Sequence, residues 1–355
     1  MALLNDEQVM LRDMAREWVD NESPLSAFRK MRGAAPETGF DVADWTRQSE
    51  MGWAGITIPE EYGGSAFGFL SLGLVLEQLG RNLAATPLAA SAVAAAVIAA
   101  GEDGEAKAAW LPKLATGEIV ATLAVDEGPV HDPARISTVV SDGRVTGSKR
   151  FVAEGDAAQL FLVAAIDGLH LVAGDEGVTK GGRRMADSRS HADIMFDGAV
   201  ASKIGGPDLT ARAIDLATAA TCAEMLGMAE AAFATTNDYL KTRVQFGQPL
   251  STFQALQHRM AKIFTELELM RSSVEGALEA IDAGRSDVDQ AVSVAKALAN
   301  DTLHLASREM IQLHGGIGMT DEHDAGLYLK RAATCQAMWG SAAFHRERFA
   351  RLNGY

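Results

Sequence analysis

Arg243, Gln245 and Phe246, followed by Gly247 and Pro249, form the stretch of this chain best equipped for chemistry. It sets a fixed cation beside a side-chain amide, an aromatic ring and a glycine that lets backbone approach a ligand. Pro249 interrupts a helical pattern, and Ser251 or Thr252 is placed to cap the helix that follows. An arginine beside a helix N-terminus suits a phosphate or pyrophosphate. A solvated arginine at a helix–helix corner is the plainer alternative. Two further stretches stand out: Gln312-Leu313-His314-Gly315-Gly316-Ile317-Gly318 and Pro59-Glu60-Glu61-Tyr62-Gly63-Gly64.

Three segments must position these groups. Residues 1–117 are expected to be helical: Val9, Met10, Met14 and Trp18 recur at helical spacing behind a cap at Asn5 or Asp6. Phe69–Leu79 and Ala90–Ala100 predict two apolar helices, and Gly117 a C-terminal cap. Over 118–206 the period shortens to that of strands. Asp-Gly pairs at Asp142-Gly143, Asp167-Gly168 and Asp197-Gly198 mark turns in a small, mostly antiparallel β domain. Over 207–355 the pattern returns to helix: about Leu209–Thr242, from about Thr252, about Val288–Leu313, and a last helix over about Asp324–Leu352. Four long helices predict an up-and-down bundle.

Composition bounds the function. At 355 residues with 48% hydrophobic content, the chain can bury a sizeable core in two or three domains. A formal charge of −15 argues against nucleic acid and anionic membrane surfaces as partners, which reward basic patches. Only Cys222 and Cys335 are present, so no disulfide framework is expected, and the histidines lack metal-ligand spacing. The N-terminal residues lack the basic segment and apolar run of a signal peptide, and the alanine-rich Pro87–Gly101 stretch is too short to span a bilayer. A cytoplasmic location is the resulting expectation.

The three motifs, in this order, resemble those of the acyl-CoA dehydrogenase family, and the likeness covers nearly the whole chain. It implies an α+β architecture: helical domain, β domain, then C-terminal four-helix bundle. It also implies FAD, an acyl-CoA substrate undergoing α,β-dehydrogenation, and an electron-transfer flavoprotein as acceptor. The Arg-x-Gln/Thr-Phe-Gly corner of the family holds the FAD diphosphate, which here points to Arg243, Gln245, Phe246, Phe253 and Gln254. The glycine loop adds Gln312, Leu313, Gly315 and Gly316. His314 is expected either to touch the adenine or neighbouring chain or to make a structural hydrogen bond. Asp187-Ser188-Arg189 resembles a strand-linking motif of this subgroup, for which an ordinary ion pair is the plainer explanation.

The chemical half departs from the family. The usual base is a Glu in a Tyr-Glu-Gly-Thr-like turn; here that turn reads Met338-Trp339-Gly340-Ser341, and Trp339, which cannot abstract a proton, is expected to pack in a helical core. The alternative base site, on the helix before the arginine corner, falls at Ala217. Asp215 and Glu224 on that helix are the remaining candidates, each with an ordinary surface or capping role as the plainer reading. The segments that cradle the flavin ring in the family read Leu123-Ala124-Val125-Asp126-Glu127-Gly128, with Val130-His131-Asp132-Pro133 downstream, and Phe151-Val152-Ala153-Glu154-Gly155. Their hydroxyls are missing, although Gly147-Ser148-Lys149 is kept. In the family the FAD site lies between subunits. A chain that keeps the diphosphate half and lacks the ring half is expected to be one subunit of a paired α2β2 assembly, as in bacterial steroid side-chain catabolism. The alternatives are a self-sufficient homotetramer with a displaced base, Glu224 or Asp215, and a flavin-free scaffold.

Overall fold

A computed structural model describes residues 3–355. They divide into two compact units: one holds the residues up to Leu25 with Gly73–Ala84 and Thr221–Tyr355, the other Ser26–Leu72 with Ala85–Ala220. Six helices come first: α1 (Asp6–Asn21), α2 (Leu25–Ala34), α3 (Val42–Glu50), α4 (Gly68–Arg81), α5 (Leu88–Ala100) and α6 (Gly104–Ala115). Asn5 starts α1 with a reciprocal capping box: its Oδ1 accepts the Gln8 N–H at 2.8 Å, and Gln8 Oε1 accepts the Asn5 N–H at 3.1 Å. Gly117 follows α6 at φ 69°, the left-handed exit expected of it. Among the described residues no helix is long and apolar enough to cross a membrane.

The second unit carries a seven-stranded sheet. Its strands are β1 (Ala121–Ala124), β2 (Val139–Ser141), β3 (Arg144–Ala153), β4 (Leu160–Ala165), β5 (Gly168–Ala173), β6 (Val178–Arg184) and β7 (Ser190–Gly205). The order is β1-β4-β5-β7-β3-β2, with β6 also on β7. Only the β1–β4 pair is parallel. The Asp142-Gly143 turn forms as expected, with both residues at positive φ, the type I′ geometry that matches strand twist. Asp197-Gly198 makes no turn. It lies inside the 16-residue β7, where the β3 register jumps from Val145↔Ala199 to Thr146↔Asp197. Gly198 at φ 69° is the extra residue of a bulge, and β3, pairing with Asp197 before it and Ala199 after it, holds β7 through it.

The other unit is helical. Beyond α7 (Pro207–Thr242) come a minimal hairpin, β8 (Val244–Gln245) with β9 (Gln248–Pro249), then α8 (Gln254–Asp282), α9 (Val288–His314), α10 (Ala325–Ala337) and α11 (Ala342–Leu352). Within this unit α4 and α7 touch backbone to backbone. A Cβ on Gly227 would meet Glu77 O at 1.8 Å, and one on Gly80 would meet Glu224 O at 2.2 Å, so only glycine fits either position. The single terminal helix expected over Asp324–Leu352 is two helices. The chain breaks at Trp339 (φ 57°) and Gly340 (φ 106°), and the Ser341 hydroxyl starts α11 by accepting the Phe344 N–H.

Candidate functional site

The arginine corner is built by local turn chemistry. At the end of α7 the Leu250 N–H donates to Arg243 O at 2.9 Å, closing the β8–β9 hairpin over Phe246 (φ 54°) and Gly247 (φ 81°). A left-handed phenylalanine stores roughly 1–3 kcal/mol of strain, a cost that tends to collect at functional sites. It throws the ring outward: Phe246 is 89% exposed and meets Phe253 edge-on at 6.1 Å. Arg243 is exposed, and its guanidinium meets no carboxylate among the described residues. Gln245 donates its amide to Val244 O at 2.8 Å, and Gln254 is exposed in the first turn of α8. Neither Ser251 nor Thr252 caps α8. Both lie in the 3-10 turn Leu250–Thr252, the Thr252 hydroxyl donates back to Pro249 O at 2.7 Å, and the cap position falls to Phe253. With no side chain capping it, the positive end of the α8 dipole is left open beside Arg243.

The glycine loop meets this corner through one aromatic contact. The Tyr239 ring, in the last turn of α7, lies 4.3 Å from the His314 ring, and its hydroxyl points at His314 O at 3.4 Å. His323 covers His314 from another side at 4.2 Å. His314 Nδ1 donates to Met310 O at 2.6 Å, so the structural hydrogen bond is present and sets the tautomer. Burial depresses this imidazole's pKa, the Met310 carbonyl opposes that and His323 adds to it, which favours the neutral ring. Gly315 turns the chain at φ 66°. Gln312, Gly315 and Gly316 are exposed, while Leu313 is buried in the bundle and presents no surface to a ligand.

The turn at the family's base position is rigidly held, and it holds a tryptophan. Fully buried Lys296 donates to Cys335 O at 2.5 Å and to Asn300 Oδ1 at 3.2 Å. Asn300 Nδ2 donates to Gly340 O at 3.2 Å, and His345 Nε2 donates to Trp339 O at 2.7 Å. Burial lowers the Lys296 pKa, yet the ammonium caps the carbonyl end of α10, where the helix dipole favours a cation. Trp339 itself is half-buried at the surface of the turn, not packed in a helix core.

Neither candidate carboxylate on α7 has the surface or capping role expected of it. Glu224 is buried and gripped by Arg331 of α10, with Nε–Oε1 at 2.9 Å and NH2–Oε2 at 2.8 Å. Such a bidentate pair stabilises the ionised carboxylate and leaves it a poor base. Asp215 is likewise buried, and so is Ala217.

In the sheet unit, the segments matched to the ring cradle are tied up among themselves. Glu127 accepts Lys149 Nζ at 2.7 Å, the Ser137 and Thr138 N–H groups at 2.8 and 3.0 Å, and both hydroxyls. Burial alone would raise its pKa, but these donors outweigh it and hold the carboxyl at about 2. Asp126 is engaged by His131 Nδ1 at 2.9 Å, and the Arg183 guanidinium lies 4.7 Å over the Phe151 ring. Val125 is buried, and neither it nor Ala124 or Ala153 offers a hydroxyl. Sequence reasoning missed Arg331, Tyr239 and the Lys296–Asn300 clamp. Glu224 and Arg331 lie 107 positions apart, a separation no local pattern reports. The small apolar residues flanking Lys296 in α9, Ala295 and Ala297, were a usable sign of a buried cation.

Comparison with known proteins gives the family. Residues 5–118 match the model described as acyl-CoA dehydrogenase, N-terminal domain, and residues 205–352 that described as acyl-CoA dehydrogenase, C-terminal domain. The chain is 31% identical over 332 residues to acyl-CoA dehydrogenase IpdE2 of Mycobacterium tuberculosis, covering 92% of this chain and 91% of that protein. Its structure is similar to that of a Tcur3481–Tcur3483 steroid ACAD variant, with a TM-score of 0.92, 30% identity and 98% coverage of both chains. It is also similar to a chain of the ChsE4–ChsE5 complex from Mycobacterium tuberculosis, with a TM-score of 0.92, 26% identity and complete coverage of both chains.

Proposed function

The chain belongs to the acyl-CoA dehydrogenase family, and from that premise we propose that it is the supporting subunit of a heteromeric, FAD-dependent acyl-CoA dehydrogenase. In this reading it grips the adenosine diphosphate half of FAD at a subunit interface. A second, related chain supplies the ring pocket and the base. The observation that carries the reading is an asymmetry. The Arg243 corner and the glycine loop are open, exposed and brought together by Tyr239 and His314, whereas Trp339 and Ala217 occupy both base positions.

The residues present fit half of the cofactor. Arg243, unpaired and beside the open N-terminus of α8, suits a diphosphate, and Phe246 and Phe253 offer apolar faces for the adenosine. Gln245, Gln254, Gln312 and the backbone of Gly315 and Gly316 supply neutral polar contacts. When bound, FAD supplies the electron sink for the β-hydride. The sheet unit offers no hydroxyl at Ala124, Val125 or Ala153 to the ring, and Glu127 is saturated by its own neighbours. Abstraction of the α-proton needs a base at hydrogen-bond distance or one water away. Glu224, held by Arg331, does not serve, and the substrate's proton is therefore assigned to the partner chain.

The acyl group is read as one from lipid or steroid catabolism, by likeness to a steroid ACAD. An electron-transfer flavoprotein is the acceptor that the family resemblance implies, and the cytoplasm the expected location. The test of the cofactor reading is Arg243→Ala in the co-purified complex. A charge-assisted contact to diphosphate is worth about 1.5–3 kcal/mol, so FAD retention should weaken by about tenfold or more. Unchanged flavin affinity would sink the assignment.

A further inference from the structure

One cavity is lined by none of the residues of the Arg243 corner, the glycine loop or the Trp339 turn. It is about 420 Å³ in volume and opens in the sheet unit between the end of α2 and the paired ends of β6 and β7. Its lining includes four arginines, Arg32, Arg183, Arg184 and Arg189, in a chain whose net charge is −15. Arg189 is 6% exposed, so this cation is built into the protein and is not a solvated surface arginine. Ser190, also 6% exposed, lines the same cavity, and its hydroxyl has no hydrogen-bond partner among the described residues. A buried hydroxyl without a partner costs about 1–3 kcal/mol, which a ligand oxygen accepting from it would recover.

The backbone is shaped for this grouping. Ser188 (φ 61°) and Ala35 (φ 45°), neither of them glycine, both line the cavity in left-handed conformations, a strain that persists where surrounding structure insists on it. Arg184 stands directly across from Ser190 in the β6–β7 register, so the cation and the hydroxyl share one rung. Gly39 leaves room for this strand end, since a Cβ there would meet Ser190 Cβ at 2.4 Å. Arg183 is engaged by Asp193, which fixes it as a wall. Two carboxylates, Glu37 and Asp156, also face the space. Burial raises the Asp156 pKa against the opposing pull of Lys180, which lessens its charge penalty toward an anion.

We propose that this cavity is a binding site for a phosphomonoester dianion. Its three terminal oxygens would take N–H groups from the lining arginines and one hydroxyl, the donor set that favours phosphate over chloride or a single carboxylate. None of its residues belongs to the Arg243 corner or the glycine loop, and Arg183, which lies over Phe151, is the one it shares with the ring-side segments.

The test is calorimetric titration of the full chain, in whatever complex it purifies, with inorganic phosphate and with AMP at low salt. Saturable binding of one equivalent of either probe is expected, weakened about tenfold or more by Arg184→Gln or Arg32→Gln and severalfold by Ser190→Ala. Tighter binding of AMP than of phosphate assigns the site to a nucleotide, and equal binding assigns it to free phosphate. Either result supports the proposal. Arg184 is exposed, so its variant guards against an unfolding artefact. If Arg184→Gln binds both probes as the wild type does, or if neither probe gives saturable heat, the proposal is overturned.

Discussion

Glutamine at position 224 separates the structural role of that carboxylate from a catalytic one. Glu224 and Arg331 are 8% and 7% exposed and share two hydrogen bonds at 2.9 and 2.8 Å. Removing one charge of a buried pair costs roughly 3–5 kcal/mol, because the other is left uncompensated. Glu224→Gln keeps one carbonyl to accept one of the two N–H groups, so the lower end, about 3 kcal/mol, is the expected loss. With a urea slope of roughly 2–3 kcal/mol/M, the unfolding midpoint of the helical unit should fall by about 1 M. Replacing both partners by apolar residues of similar shape, Glu224→Leu with Arg331→Met, should recover at least half of that loss, since no charge then lies buried alone. Flavin reduction by acyl-CoA, followed by stopped-flow absorbance on the folded, FAD-loaded complex, should change by less than about threefold, far short of the effect of removing a general base. A variant that keeps its midpoint and its FAD but loses flavin reduction would refute the reasoning, and would make Glu224 the base.

Three further outcomes follow from other parts of the molecule. Gly227→Ala should destabilise by about 1–3 kcal/mol or more, seen as a lower melting temperature, because its methyl group would enter the backbone of α4 at Glu77. Glu127, whose carboxyl is held at about 2 against an ordinary 4.5, adds stability that is complete above about pH 4.5 and is lost as pH falls towards 2. Glu127→Gln should therefore cost at most about 3 kcal/mol at pH 7, and urea midpoints measured from pH 7 to 3 should converge with wild type at the acid end. Lys296→Met should leave the Cys335 carbonyl unmet and loosen the Trp339 turn, read as faster amide exchange over Met338–Ser341, whereas Lys296→Arg should restore part of the protection.

What could be read from the sequence was local, and what could not was long-range. Asn5 and Gln8 announce a capping box because both partners lie within one turn of chain. Asp142-Gly143 makes its hairpin for the same reason. Asp197-Gly198 is the same dipeptide, but β3 pairs on both sides of it, and tertiary pairing turned a turn signal into a bulge. The Met338–Ser341 turn was legible only through its likeness to the family's base turn, and the helical periodicity on either side did not give the split between α10 and α11. The split depends on buried Lys296 and Asn300 of α9 holding the turn from outside. The Arg243 corner and glycine loop were legible as motifs, whereas the Tyr239–His314 contact that joins them was not. The plain roles given to Glu224 and Asp215 failed because exposure was inferred from residue type, and burial is decided by the neighbours.

The claim that this chain is half of an active site can be tested by its colour. The chain should be purified alone and, separately, together with a second acyl-CoA dehydrogenase-type chain co-expressed as its partner, and flavin counted in each before acyl-CoA is added. Alone, it should hold well under one FAD per chain, and acyl-CoA should not bleach what it holds. The complex should be yellow and should bleach on addition of substrate, with Arg243→Ala lowering its FAD content. A chain that purifies alone with one FAD each, and reduces that flavin with acyl-CoA, contradicts the claim outright.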